Sequence, residues 1–378
     1  VPSNEERRQA AREKLAKQNE RREADARKRK VKAIGAGVAV VAVAAVVAAY
    51  VWIPAGPRAP LRVAAENKYN SLHVTCDFQD RDPAADARKS IDAQKKQIAT
   101  MRTQISDAQK RLPTMPADQR ATFQQQIDAA IGQTDSSEKS IAEAEKQLPT
   151  LDKLAERNKS LTKPEGKDIP NTGTMTGTIT TNAGPIGFEL DRSKAPCNVD
   201  TFVALMQAKY FDATTCHRLT ASEAADKKSG LYVLQCGDPS ATGLGGPSWT
   251  SPDEAPKFLK PAATESNPLQ QTAPNVIYPA GTIAVANANQ PANPQTGQEG
   301  TFNTGSSQFF LVYKDTTLPA NYSVIGKTDD AGLTVLQQIA GKGIVPKPGD
   351  PAPRPGTPVT DGKPRDAVNI TTMALAAQ

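Results

Sequence analysis

Four short segments hold the residues whose types and spacing could do chemistry: Cys216-His217-Arg218, Leu234-Gln235-Cys236-Gly237-Asp238, Ala286-Asn287-Ala288 and Gly305-Ser306-Ser307-Gln308-Phe309-Phe310. Cys216 beside His217 invites a thiolate–imidazole reading. Neighbours on a strand point to opposite faces, however, and cannot cooperate in that way. Only two histidines, His73 and His217, occur in 378 residues, which argues against a histidine-built metal centre. Thr242-Gly243-Leu244-Gly245-Gly246 is glycine-rich, but no Lys-Ser/Thr follows it, so it is not a phosphate-binding loop. Arg218 carries a guanidinium that stays charged and presents several donors in fixed geometry; taken by itself it reads as a surface strand arginine.

In this order and at these intervals the four segments resemble the active-site signature of the cyclophilins, the peptidyl-prolyl cis-trans isomerases. The resemblance covers residues 173–375. It implies a closed antiparallel barrel of eight strands capped by two helices, Xaa-Pro segments as substrate, and no metal or cofactor. The implied reaction is rotation about an amide whose barrier is about 18–20 kcal/mol, which takes tens of seconds uncatalysed. Bringing it to milliseconds needs about four decades, or about 5–6 kcal/mol. No bond is made or broken, so a slot for the ring, groups that hold the flanking backbone and one strong donor suffice.

The resemblance also assigns roles. Arg218 matches the family's catalytic arginine, although Cys216 stands where the motif begins with phenylalanine. Gln235 and Asn287 match the groups that hold substrate backbone, Asn287 through its main chain beside Ala286. Gln308 would support Arg218 or the substrate carbonyl. Phe310 matches the floor of the proline slot, and Tyr232, Val233 and Leu318 match its walls. Thr317 stands where the family has tryptophan, and Tyr322 where it has the histidine that closes the pocket. Residues 221–230 form a longer loop than the usual member carries, read either as a gate or partner contact or as a tolerated surface insertion.

The elements that must position these residues are short. Thr174–Thr181 and Ile186–Leu190 read as strands around the turn Asn182-Ala183-Gly184-Pro185. Cys216–Thr220, Leu231–Cys236, Thr282–Ala286, Gln308–Val312 and Val368–Met373 read as further strands. Pro196–Gln207 and Leu333–Ala340 read as helices. Short strands with two helices fit a capped barrel.

Ahead of this isomerase-like domain, 173–378, the character changes in steps. Residues 1–32 carry 12 Lys/Arg and 6 Asp/Glu, leaving 34 of each sign (46 less 12, 40 less 6) in the rest. The high pI therefore belongs to a short tail, and no nucleic-acid-binding domain is expected. Residues 33–53 are 21 consecutive residues without a charge, about 31 Å as a helix against about 30 Å of bilayer hydrocarbon. With the basic tail before it, this run reads as an uncleaved signal-anchor in membrane lipid, N-terminus cytoplasmic and the rest outside. Residues 54–82 read as a linker with a short strand at Val74–Phe78, and 157–172 as a second linker.

Between them, 83–156 reads as a helical hairpin or coiled coil. Ile91, Ile98, Ile105 and Leu112 recur every seven residues, as do Ile127, Thr134, Ile141 and Leu148 beyond a proline-rich turn. Pro149 is expected to end the second helix. The hairpin reads as a spacer, or as a contact for a membrane protein or a second copy.

Cys76, Cys197, Cys216 and Cys236 all follow the apolar run, so two disulfides with three possible connectivities are expected outside the cell. Strand alternation argues against Cys216–Cys236, and the favoured pairing is Cys197–Cys216 with Cys76–Cys236. The Ala/Val-rich span and the cysteine-bearing motifs resemble the actinobacterial, membrane-anchored form of the family. The expected function is isomerisation in the folding of exported proteins, a chaperone-like role. The rival is a subunit that grips proline segments for a membrane complex with little turnover.

Overall fold

The computed structural model describes residues 59–223, 230–263, 273–292, 299–347, 350 and 356–377. The basic tail, the apolar run 33–53 and most of the inserted loop lie outside these residues. Among the described residues no helix is long and apolar enough to cross a membrane. The chain divides into two compact units, Val1–Ser71 and Leu72–Gln378. The described part of the first is helical, within the helix Ala59–Leu72, where the sequence suggested a linker.

The second unit begins with the remainder of that stretch. His73–Val74 pairs with Ile169–Pro170, and Gln79–Asp80 pairs with Trp249–Thr250. The strand expected over Val74–Phe78 does not form as one piece. Cys76 and Phe78 are buried in the main core, and the Cys76 amide donates to the Gly166 carbonyl. Gly166 sits at φ +73°, and a Cβ there would strike the Cys76 carbonyl, so only glycine allows this close approach.

The hairpin consists of the helices Pro83–Arg111 and Ala117–Asn158. Asp82 starts the first by accepting from the Ala84 and Ala85 amides, with Pro83 in the first turn. Ile91, Ile98 and Ile141 bury the seam, and Thr134 satisfies its hydroxyl on the Ala130 carbonyl. Exposed ion pairs such as Arg88–Asp152 and Arg102–Glu138 cross it but add little energy. The second helix does not end at Pro149; it runs on to Asn158. An interior proline costs about 3 kcal/mol. Leu151 and Leu154 lie beyond it, 0% and 5% exposed. Burying two leucines is worth about 1.5–3 kcal/mol each, which offsets the cost.

Among the described residues the main sheet has eleven strands, all neighbours antiparallel. Along the ladder they run Ile344–Val345, Asp361–Pro364, Arg218–Thr220, Val233–Cys236, Phe309–Val312, Thr282–Val285, Val324–Thr328, Gly184–Asp191, Thr174–Thr181, Asn369–Leu375 and Thr214–Thr215. Thr174–Thr181 alternates strictly between exposed and buried positions, as a strand with one face on a core must. Thr214–Thr215 and Arg218–Thr220 stand near opposite ends of the ladder, yet only Cys216 and His217 separate them. The sheet therefore curls through this bend into a half-barrel, and among the described residues its end strands are not paired with each other. The expected eight-stranded closed barrel is corrected to that extent. Two- to four-residue strands such as Ile344–Val345 and Asp361–Pro364 carry too little alternation to be seen in a sequence.

Inside the curl, Phe202, Phe211 and Phe309 pack ring to ring at 5.4–5.7 Å. The helix Pro196–Gln207 closes one side. Glu254 caps it by accepting from the Cys197 and Asn198 amides, two of the donors a helix start leaves unpaired. The disulfides are Cys76–Cys197 and Cys216–Cys236, not the favoured pairing. The alternation argument failed because the strand begins only at Arg218. Cys216 lies in the bend, where its amide donates to the Val368 carbonyl and leaves the ladder.

Candidate active site

Four adjacent strands build the site as one rung. Arg218 lies opposite Gln235, Gln235 opposite Phe310, and Phe310 opposite Ala284. Residues in register share a face, so the guanidinium, an amide and an aromatic ring stand side by side. The face carries a second apolar cluster, separate from the main core, that includes Val233, Val276, Tyr278, Ala284, Phe310 and Val324, with Ala286, Leu318 and Tyr322 against it. Phe310 and Tyr322 meet edge to face at 5.4 Å. Tyr278 contacts both rings at 6.2 and 6.3 Å and donates to the Pro319 and Tyr322 carbonyls. A greasy, aromatic hollow thus adjoins a cation.

The cation is oriented from several sides. Arg218 Nε and Nη2 donate to the two Asp361 oxygens at 2.9 and 2.6 Å, a bidentate pair. Nη1 donates to Gln235 Oε1 at 3.3 Å. Gln235 Nε2 donates to Gln308 Oε1 at 2.9 Å, and Gln308 Nε2 donates to the Gly243 and Gly245 carbonyls at 2.9 Å each. Of five guanidinium hydrogens, these contacts use three. The Asp361 hydrogen bonds hold Arg218 still more firmly in its charged form, against the opposing effect of burial. Burial pushes the Asp361 carboxyl up, but Arg218 and Lys347 outweigh it and hold the group below the usual carboxylate range. Burial raises the Tyr322 hydroxyl, and the Arg218 charge opposes that rise.

The glycine-rich loop ties this network to the hairpin. Asp238 accepts from the amides of Ser240, Gly243 and Gly245. Asn158, at the end of the hairpin, donates to the Gly246 carbonyl at 2.7 Å, and Arg81 donates to the Leu244 carbonyl. A Cβ at Gly245 would collide with Asp238 and with Leu154 of the hairpin, so glycine permits the clamp. His217 lies under Gly243, 6% exposed, with neither ring nitrogen hydrogen-bonded among the described residues. Burial drives its pKa down to about 4 against the pull of Asp238, so it is neutral at pH 7.

Arg218 and Gln235 stand along the rung beside the cluster that holds Val233, Ala286, Phe310, Leu318 and Tyr322. Gln308 reaches Arg218 only through Gln235. Asn287 spends its side-chain amide on the Asn321 carbonyl at 2.7 Å, which leaves its main chain as the group it can offer. Thr317 faces Ile277 in the short ladder that carries Leu318, and alternation turns it from the cluster. Tyr232 is not a wall of this hollow. It belongs to the main core, packs against Tyr313 at 5.9 Å and lies under the Lys314 ammonium. Val233, which opens the strand Val233–Cys236, packs in the cluster beside Phe310, whereas Tyr232 just before that strand turns into the main core. Sequence reasoning missed Asp361, Tyr278 and Val276. Asp361 sits in Asp361-Gly362-Lys363-Pro364, which has no pattern to flag it.

The family model for cyclophilin type peptidyl-prolyl cis-trans isomerase/CLD matches residues 176–373. The chain belongs to the cyclophilin family. It is similar to the probable peptidyl-prolyl cis-trans isomerase B of Mycobacterium tuberculosis, 39% identical over 210 residues, covering 56% of this chain and 57% of that protein. It is also similar to the peptidyl-prolyl cis-trans isomerase-like 3 of Gallus gallus, 30% identical over 169 residues, covering 44% of this chain and 81% of that one. A crystal structure of a Cryptosporidium parvum cyclophilin in the presence of the dipeptide Ala-Pro is 23% identical, covers 54% of this chain and 99% of its own, and has a TM-score of 0.35. The matched region is a little over half of the mycobacterial cyclophilin relative.

Proposed function

We propose that the chain is a peptidyl-prolyl cis-trans isomerase whose work is done by Arg218 beside the Phe310 hollow. The observation that carries this is the rung Arg218–Gln235–Phe310. It sets a fixed cation with unspent donors next to an apolar recess of the kind a proline ring fills. When the amide twists, conjugation is lost and its nitrogen and carbonyl recover separate polarity. A preorganised donor beside them stabilises that state more than the planar ground state. In this half-buried setting the donor is worth about 2–4 kcal/mol; the hollow, by gripping the ring in its twisted geometry, supplies the rest of the about 5–6 kcal/mol required. Arg218→Ala in the full chain is expected to lower kcat/KM on an Xaa-Pro tetrapeptide about thirty- to a thousandfold. Unchanged turnover would remove Arg218 from the mechanism, and no turnover by the parent chain would leave the proline-gripping subunit as the better reading.

We further infer that the domain acts outside the cytoplasm on exported proteins, held by residues 33–53 as a membrane-anchored, actinobacterial form of the family. Two disulfides support an oxidising compartment, and the charge-free run after a basic tail supports the anchor. Protease added to intact cells should degrade the domain; full protection would refute this topology.

A further inference from the structure

A cleft of about 480 Å³ runs on from the site, between the hairpin and the half-barrel. One wall is a single face of the second hairpin helix, where Ser136, Ser140, Glu143 and Gln147 follow at helical spacing. The facing wall is the loop Ala241–Leu244, with Lys347 and Lys363 on a third side and His217 also lining the space. Arg218 and Gln235 line it too, and the rung sets Gln235 beside Phe310, so the cleft reaches the edge of the aromatic cluster. The rung fixes their order: the hollow lies on the Phe310 side of Gln235, and the cleft opens on the Arg218 side.

We propose that this cleft is an extended subsite that binds the polypeptide flanking the isomerised bond, so that the hairpin forms part of the substrate-binding surface. The inference rests on the isomerase reading. A chain whose proline sits against Phe310 and whose carbonyl meets Arg218 must leave the hollow past Gln235. It then enters a channel between a helix and a loop. The lining is hydroxyl, amide, carboxylate and ammonium groups together with loop backbone, which suits an extended polar segment. Its amides and carbonyls repeat every ~3.3 Å and can be met by groups on both walls. Contacts made there are remote from the reacting bond and raise kcat/KM for long substrates only.

Ser140 tests this without touching the rung. It is exposed, and its hydroxyl bonds only the Ser136 carbonyl of its own helix. Ser140→Trp fills the cleft from the helix side, and Ser136→Trp does so one turn earlier. Two probes are compared on the full chain: an Xaa-Pro tetrapeptide, and the same core extended by four Ser/Gln residues on both sides. The parent chain is expected to turn over the extended peptide about tenfold better. Both variants should keep tetrapeptide turnover within twofold and lose the advantage of length. With an active parent, the inference is overturned if the variants retain that advantage, if the parent has none, or if both substrates suffer equally. Binding of the fluorescent extended peptide is measured in parallel. A tenfold weaker Kd in the variants supports the subsite even if the parent isomerises nothing, and an unchanged Kd refutes it.

Discussion

Asp361→Asn separates a positioning role from a merely structural one. The wild-type carboxylate takes two charge-assisted hydrogen bonds from Arg218. Asparagine keeps one acceptor oxygen and places a donor where the other stood, so one bond weakens and one is lost. Such bonds are worth about 1.5–3 kcal/mol when buried. Here the side chains are 31% and 45% exposed, and solvent screening reduces the value to about 1 kcal/mol. If that energy holds the guanidinium against the substrate carbonyl, kcat/KM on a tetrapeptide falls about fivefold. The fall should lie in kcat more than in KM, because orientation matters most at the twisted amide. The decisive measurement is the double variant. Asp361 acts through Arg218, so Asp361→Asn should cost nothing in an Arg218→Ala background. An equal loss in both backgrounds would show that Asp361 acts independently, and a gain in the single variant would show that the carboxylate restrains the cation.

Two further outcomes concern the frame. Cys76–Cys197 closes a separation of 121 residues, so Cys76→Ser should lower unfolding free energy by about 2–4 kcal/mol, read by denaturant titration of Trp249 fluorescence; a loss under about 0.5 kcal/mol would mean that core packing alone holds residues 73–80 in place. His217 has its folded pKa depressed from 6.5 to about 4. Its contribution is therefore present above pH 6.5 and is lost as pH falls toward 4, by about 2 kcal/mol between pH 7.5 and 5. The His217→Phe variant should lack that part of the slope, and an identical slope would place the acid sensitivity elsewhere.

The candidate site was more legible than the frame around it. Arg218, Gln235 and Phe310 sit in segments whose residue types are set by chemistry, so their pattern survives in a short window. Asp361 is as close to the cation as any residue, yet nothing near it in sequence marks it, because its partner lies 143 positions away. Pro149 misled because the helix-breaking rule is local. The burial of Leu151 and Leu154 that overrides it is tertiary. Cys216 misled for the converse reason: alternation is a property of a strand, and the chain is bent there. Tyr232 is assigned to the hollow by its position in a motif, whereas the chain just before the strand Val233–Cys236 turns it into the main core.

The hairpin reads differently once its contacts are followed. As a spacer it would need only to be stiff, and its base could join the half-barrel anywhere. Instead Asn158 and Arg81 bond the carbonyls of the glycine-rich loop, and Leu154 packs where Gly245 leaves room. The same loop gives two carbonyls to Gln308, and Gln308 aligns Gln235, which meets Arg218. A loop of small residues has many conformations to lose on ordering. Fixing it from the hairpin side and from Asp238 removes that freedom before substrate arrives. Preorganisation of this kind is what a reaction without covalent steps depends on, which gives a physical reason for a helical hairpin to be docked against the proposed isomerase site.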